Sequence, residues 1–523
     1  MPVATTPWWR GAAIYQIYPR SFADSNGDGI GDLAGITERL GHVADLGVDA
    51  VWISPFFTSP MHDFGYDVAD YRSVDPIFGT LADFDALVAR AHGLGLKVLI
   101  DLVFAHSSDE HAWFVESRAS RTNDKADWYV WADPKPDGSP PSNWQSVFGG
   151  PSWTWDARRE QYYHHNFLKE QPQLNGHSPA VQEALLDIVR FWLARGVDGF
   201  RFDAVNFMMH DPALTDNPAV AEPHKRTRPF DYQHHVHNQS QPEILPFLER
   251  LRTVCDAAGA AFAVAEVGGE QAEREMLDYT GEKGLHSAYG FDFLYADRLT
   301  PALVARSLAR WDEAAGWPSW AFENHDAPRA LSRWVAPAHA EQFARQKMLL
   351  LAALRGTIIL YQGEELGLTQ VEVPFELLQD PEAIANWPQT LSRDGVRTPM
   401  PWSSAAPAHG FTNGTPWLPF GPDHAALSVE RQTGDVHSLL HRTRRLLALR
   451  NDHPALRWGA MELVEASAQL LVFDRCHGDS RLRCSFNLGE TALPCPPAGH
   501  LLLACGEASG SALGPYASRI EVV

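Results

Sequence analysis

The run GFRFDAVN, residues 199–206, sets Arg201 and Asp203 two apart inside a short apolar segment. On a strand such residues share a face, so a cation and a carboxylate stand together while Phe200 and Phe202 point the other way. That is a poor design for a core strand and a good one for a strand that ends in a cleft. A guanidinium so close favours the ionised carboxylate and fixes its orientation, which predicts that Asp203 stays charged, as a carboxylate nucleophile must. Two more acids close apolar runs: Glu266 in FAVAEVGG (262–269) and Asp326 in WAFENHDAP (320–328), the latter next to His325. One such acid reads as a helix N-cap or a solvated loop residue. Three of them, with Arg201 and His325 alongside, predict one shared site.

Strand ends that converge in this way belong to a parallel barrel, whose catalytic groups gather at the C-terminal ends of its strands. The sequence supplies the strands: AIYQIYP (13–19), VDAVWISP (48–55), LKVLIDLVF (96–104), VDGFRFDA (197–204), AFAVAEV (261–267), SWAFENH (319–325) and TIILYQGEE (357–365), with SAYGFDF (287–293) a weaker eighth. Amphipathic segments lie between them, such as the one with Ile36, Leu40, Val43 and Leu46 on one stripe. The expected fold class is therefore α/β, a closed (β/α)8 TIM barrel. Residues 107–172, rich in Pro, Gly, Ser and aromatics, are expected to form a subdomain inserted after strand 3. After HSLLHRTRRLLALRND (437–452) the apolar period changes to two, which predicts a C-terminal antiparallel β-sandwich over 453–523. The barrel then comprises 1–106 and 173–452. Two further excursions, 207–242 and 367–402, leave from strand C-terminal ends and border the same cleft. The first carries His234, His235 and His237, a weak signal for a metal because a lid loop needs polar side chains anyway.

A chain of 523 residues that is 45% apolar can bury a large core in two or three domains. With 65 acidic against 43 basic residues the net charge is −22, which argues against nucleic acid, an anionic membrane surface or a phosphorylated substrate as partner. Eighteen Trp and thirteen Tyr suit a sugar ligand, and equally suit a core. No secretory leader pattern and no run of roughly 20 apolar residues occurs, and five Cys at irregular spacing favour free thiols. The expected location is cytoplasmic.

FGYDVADY (64–71), IDLVFAH (100–106), GFRFDAVN, FAVAEVGG, FENHDAPR (322–329) and YQGEELGL (361–368), in this order, resemble the α-amylase family of glycoside hydrolases, in its α-glucosidase and oligo-1,6-glucosidase branch. The likeness runs from Trp8 through the C-terminal sheet. It implies that Asp203 is the nucleophile, Glu266 the general acid/base and Asp326 the group that holds sugar hydroxyls as the ring distorts. A retaining mechanism needs one carboxyl ionised and one protonated, about 5 to 5.5 Å apart. The apolar run from Phe262 to Val267 is expected to raise the pKa of Glu266 by desolvation.

The resemblance further implies that His106 and His325 donate to sugar hydroxyls and that Asp63 and Tyr66 wall the same subsite, with Tyr66 as the stacking ring. Phe148 and Phe167 of the insertion join Arg201 among the substrate-binding candidates. An Arg of SRDGVRTPMPW pairs with Asp63 to grip the non-reducing end; Arg393 is favoured, with Arg397 as the alternative. Ala204, small where α-1,6-preferring relatives carry Val, points to α-1,4 linkages. DSNGDGIGD (24–32) resembles a cation loop, with Asp24, Asn26, Asp28, the Ile30 carbonyl and Asp32 as oxygen ligands for a structural Ca2+ or Mg2+. No cofactor is expected for catalysis. Ala105 stands where calcium-dependent amylases use Asn, and a methyl group cannot coordinate a cation.

The implied activity is that of a retaining, exo-acting α-glucosidase on short α-glucosides, with possible transglucosylation. Alternatives with the same residues are an oligo-1,6-glucosidase or a sucrose-acting glucosyltransferase or isomerase. A non-catalytic transporter-ancillary homologue would need an anchor and could lose the acids. A metal-dependent barrel hydrolase would be inactivated by chelation.

Overall fold

The computed structural model describes residues 6–222, 227–259, 261–312, 314–389, 392–508 and 510–523. Residues 1–5, 223–226 of the second excursion and 390–391 of the third therefore lie outside the described residues. Eight parallel strands close a barrel: β1 (Ala13–Ile17), β2 (Ala50–Ile53), β3 (Lys97–Val103), β7 (Gly199–Asp203), β8 (Phe262–Val267), β9 (Ser287–Gly290), β10 (Trp317–Ala321) and β11 (Thr357–Tyr361). All eight segments expected from the sequence are present, the weak SAYGFDF included.

Each barrel strand is buried on both sides and still alternates. Phe200 and Phe202 of β7 pack outward into the main core beneath the helices, while Arg201 and Asp203 point inward. In β8, Ala263, Ala265 and Val267 face outward, whereas Phe262 and Val264 join Ile14, Trp52, Leu99 and Tyr289 in a separate cluster inside the barrel. The inward row of β8 thus runs Phe262, Val264, Glu266: two apolar layers that plug the barrel, then an acid at its mouth.

Between β3 and β7 the chain leaves the barrel and builds a three-stranded antiparallel sheet from β4 (Trp131–Ala132), β5 (Trp153–Asp156) and β6 (Gln161–His164). A bridge between His106 and Gln173 closes the neck where the chain departs and returns.

The C-terminal strands are β12 (Ala460–Ala466), β13 (Leu470–His477), β14 (Ser480–Asn487), β15 (Leu493–Pro494), β16 (His500–Cys505), β17 (Ala512–Leu513) and β18 (Ser518–Val522). They form an antiparallel sheet in the order β12-β13-β14-β18-β16, with β15 and β17 paired beside it. Period-two patterning gives β13 two apolar faces: Leu471 and Phe473 join the main core, and Leu470 and Val472 meet Leu513 and Cys495 in a second small core. All five cysteines are free thiols. Among the described residues no helix is long and apolar enough to cross a membrane.

Candidate active site

Strand register brings the charged groups together. Asp101 of β3 lies opposite Arg201 of β7, Val103 opposite Asp203, and Glu266 of β8 opposite Tyr289 of β9. Arg201 Nη1 donates to Asp203 Oδ1 at 2.6 Å and to Asp101 Oδ1 at 2.7 Å, and its Nη2 lies 2.5 Å from Glu266 Oε1 without hydrogen-bond alignment. The two acids expected to act on a bond therefore flank one guanidinium. Two further ties join their strand ends: Ala204 N–H donates to Glu266 Oε2 at 3.3 Å, and Asn206 Nδ2 donates to the Gly268 carbonyl at 2.7 Å.

The electrostatics qualify one expectation. Burial pushes Asp203 up to about 7 against the opposing pull of Arg201, and it pushes Glu266 up to about 7 as well. Arg201 does not hold Asp203 simply charged, because it is shared among three carboxylates, and Asp101 is itself raised to about 6 by burial. Asp101 adds to the rise of Asp203, and the Asp203 charge in turn helps to raise Glu266. The aligned Arg201 bond goes to Asp203, whereas Glu266 receives neutral donors, Tyr289 Oη at 3.1 Å and Ala204 N–H. Charge-assisted bonding favours the charge on Asp203 and the proton on Glu266. Asp326 differs. Burial would raise it, but His325, through its Nε2–H 3.3 Å away, and the cations Arg397 and Arg393 outweigh that and hold its carboxyl well below the usual range.

His325 and Tyr66 extend the network. Gln16 Nε2 lies 2.8 Å from His325 Nδ1, and His325 Nε2 lies 2.5 Å from Tyr66 Oη, which donates to Asp101 Oδ2 at 3.1 Å. An amide can only donate to Nδ1, so His325 is neutral with its proton on Nε2, in keeping with burial pushing it down to about 3. The rings of Tyr66 and His325 stack with an interplanar angle of 8°.

The opposite wall comes from loops. Arg393 Nη2 donates to Asp63 Oδ1 at 3.0 Å and to Asp380 Oδ1 at 2.7 Å, and its Nη1 donates to Asp326 Oδ1 at 3.4 Å. Arg397 reaches Asp326 Oδ1 at 2.7 Å and the His325 carbonyl at 2.8 Å, but does not bond Asp63. Gln171 Nε2 donates to Asp63 Oδ2 at 3.2 Å and lies 3.1 Å from His106 Nε2. Burial pushes His106 down to about 4, and its Nδ1 has no partner among the described residues. Phe167 packs against His106 and Phe148, and Arg393 lies over the Phe148 ring at 5.0 Å. Asp63, Tyr66, His106, Phe148, Phe167, Arg201, His325 and Arg393 thus belong to one contiguous set around the three acids.

Five contributors were missed by sequence reasoning. Asp101 carried a usable signal, a lone acid in the apolar run LKVLIDLVF, and Tyr289 sat in the weakest strand. Gln16 lies within AIYQIYP, where an inward amide resembles any strand polar residue. Gln171 and Asp380 arrive from excursions whose paths no local pattern fixes.

The loop of 24–32 lies apart from these acids. Asp24 Oδ1 accepts from the N–H groups of Asn26 and Gly27, its Oδ2 from Gly29, Asn26 Oδ1 from Asp28, and Asp28 Oδ1 from Ile30. Asp32 caps the helix Leu33–Asp45 by accepting from Gly35 N–H at 2.7 Å. His234, His235 and His237 go to separate partners: Glu270, the Phe230 ring and Asp211. Among the described residues no cluster of three or more His, Cys, Asp or Glu could hold a metal ion.

Residues 16–459 match the family model of the α-amylase catalytic domain. The chain belongs to the α-amylase family of glycoside hydrolases. Residues 457–520 match a domain of unknown function, DUF3459. Among this family's members the chain is 56% identical to a probable α-glucosidase of Rhizobium meliloti (strain 1021), over 93% of this chain and 90% of that protein. It is 36% identical to an oligo-1,6-glucosidase of Halalkalibacterium halodurans, over 94% and 92%. Its fold matches an α-glucosyl transfer enzyme with a TM-score of 0.95 at 50% identity, covering 99% of this chain and 100% of that one. A trehalulose synthase from Pseudomonas mesoacidophila MX-45 matches at 0.90 and 31%, covering 99% of each.

Proposed function

We propose that this glycoside hydrolase is a retaining, exo-acting α-glucosidase that releases glucose from the non-reducing end of short α-glucosides. The observation that carries the reading is the pair Asp203 and Glu266 on one guanidinium, beside a wall in which Arg393, Asp63 and Asp326 are bonded together. In this reading Asp203 attacks C1 while Glu266 gives its proton to the departing oxygen, and a β-glucosyl ester forms on Asp203. Esterification removes the Asp203 charge, which helps to raise the Glu266 pKa. Glu266 then becomes the stronger acid, so its carboxylate is available to take a proton from incoming water in the second step. Asp326, held charged, grips hydroxyls of the flattening ring, and Arg393 with Asp63 closes the site behind the terminal sugar, which supports exo action.

Ala204 supports a preference for α-1,4 linkages. It follows the nucleophile with φ of 41°, a left-handed backbone in which a β-branched residue is strained. A kinetic panel of maltose, maltotriose, isomaltose, sucrose and an aryl α-glucoside tests substrate and linkage. Maltose should exceed isomaltose in kcat/KM; the reverse order overturns the linkage assignment, and no turnover of any overturns the α-glucosidase. The likeness to an α-glucosyl transfer enzyme favours a second outcome, in which an alcohol or sugar hydroxyl opens the ester instead of water. Products at high maltose, with and without added alcohol, separate the two.

The reading includes a structural Ca2+ or Mg2+ held by Asp24, Asn26, Asp28, the Ile30 carbonyl and Asp32. An all-oxygen donor set at alternate positions of a glycine-containing turn is the chemistry such cations take, and Asn26 Oδ1 and Asp28 Oδ1, which accept one N–H each, retain a lone pair. The ion would pin this loop and take no part in proton transfer. A cytoplasmic location completes the reading, supported by the five free thiols.

A further inference from the structure

Asp326 lies midway between Glu323 and Arg329, and those two residues bond each other. Arg329 Nη1 donates to Glu323 Oε2 at 3.0 Å, which closes residues 323–329 into a loop. Inside it, Asn324 Oδ1 accepts the N–H groups of Asp326 and Ala327 at 2.9 and 2.8 Å. The same guanidinium reaches outward to the Gln362 carbonyl at 2.9 Å and the Val396 carbonyl at 3.4 Å, and it lies 4.6 Å over the Tyr361 ring. Val396 sits between Arg393 and Arg397, the two cations that bond Asp326. One arginine therefore fastens three segments around that acid.

Behind it stands Lys347, on the helix Ala340–Ala353. Its ammonium donates to Glu323 Oε1 at 2.7 Å and to Glu364 Oε1 at 2.9 Å, and Glu364 Oε2 accepts the Tyr361 N–H at 3.1 Å. The four charged side chains are each at most 1% exposed. Two buried cations against two buried carboxyls, of which burial pushes Glu364 up to about 7, are a costly way to gain stability, since apolar groups of equal volume serve as well. What charges add is direction, a fixed relative placement of the segments they join.

We propose that Arg329, Glu323, Lys347 and Glu364 are positioning residues that set Asp326 against Arg393 and Arg397, and so govern how firmly the distorted glucosyl ring is held. None of them bonds the wall residues Asp63, Arg393 or Arg397 by side chain; they act through the loop and the carbonyls. The proposal rests on the α-glucosidase reading, because only there does Asp326 grip a ring that changes shape.

The test uses the full-length enzyme with maltose and an aryl α-glucoside, measuring kcat, KM and Tm for Arg329→Lys and for the double variant Lys347→Met/Glu364→Gln. A lysine keeps the charge beside Glu323 but cannot span three acceptors, and the double variant leaves Glu323 paired with Arg329 alone. Because misplacement of Asp326 weakens the transition state more than the bound substrate, kcat should fall about 10- to 100-fold while KM stays within about threefold. The double variant, free of unpaired charge, should melt near the parent and still show the loss. Binding of an iminosugar should weaken at least about tenfold, with glucose binding within about threefold. A folded variant with the parent's kcat overturns the proposal, as does a loss confined to KM. If Arg329→Lys fails to fold, the double variant decides. A parent inactive on both substrates would overturn the α-glucosidase reading instead.

Discussion

Arg201 and Arg450 are both wholly buried, one at the mouth of the barrel and one at its junction with the C-terminal sheet. Arg450 is ringed by the carbonyls of Gly11, Ala352, Leu354, Gly356 and Leu456 and, among the described residues, bonds no carboxylate. It donates to the buried C-terminal end of the helix Ala340–Ala353, whose last carbonyls have no partner within the helix. Arg201 faces three carboxylates, leaves one nitrogen poorly aligned, and sits among acids whose affinity for protons is raised. The junction satisfies its polar groups, whereas the mouth crowds like charges that relax only when a proton or a sugar arrives. Stability and reactivity are thereby separated along the barrel axis.

Substitutions at the two arginines' partners should separate accordingly. Asp203→Ala should lower kcat on the order of 10^4-fold, with no fall in Tm, since it removes a carboxylate that burial and Asp101 disfavour. Equal losses of Tm and activity would erase the contrast. Arg450→Met should do the opposite, lowering stability by about 3 kcal/mol as carbonyls lose their donors, with kcat per folded molecule unchanged; denaturant unfolding and active-site titration measure both.

The pH dependence sharpens the comparison. Asp203 and Glu266 have ordinary values of 3.8 and 4.5 and folded values of about 7, so folding favours their protonated forms. Stability held below roughly pH 4 should decline as pH rises through 7, and the variant Asp203→Asn/Glu266→Gln should lack that share of the decline. Parallel stability curves for parent and variant would contradict the assignment. Asp203→Asn alone should move the Glu266 titration downward, because the charge that raises it is gone. The smallest effect is expected at the 24–32 loop: chelation should lower Tm by a few degrees and leave KM unchanged, and an unaltered Tm would remove the cation.

The barrel was legible because each strand couples a β-rich run to a chemically odd residue at its end, as in GFRFDAVN. Asp203, Glu266, Asp326 and Arg201 could be found by that rule, and Asp101 obeys it too. Gln171 and Asp380 could not, because they meet Asp63 and Arg393 across excursions whose paths are set by tertiary packing. The raised proton affinity of Asp203 was not legible for a related reason: alternation reveals that Arg201 is near, but not that two other strands bring it two more carboxylates.

The covalent role proposed for Asp203 is tested most directly by mass spectrometry of the Glu266→Gln variant incubated with α-glucosyl fluoride, whose leaving group needs no acid. Slow deglucosylation should leave one glucosyl unit esterified to the peptide containing Asp203. An active variant that carries no adduct, or carries it on another side chain, would contradict the account.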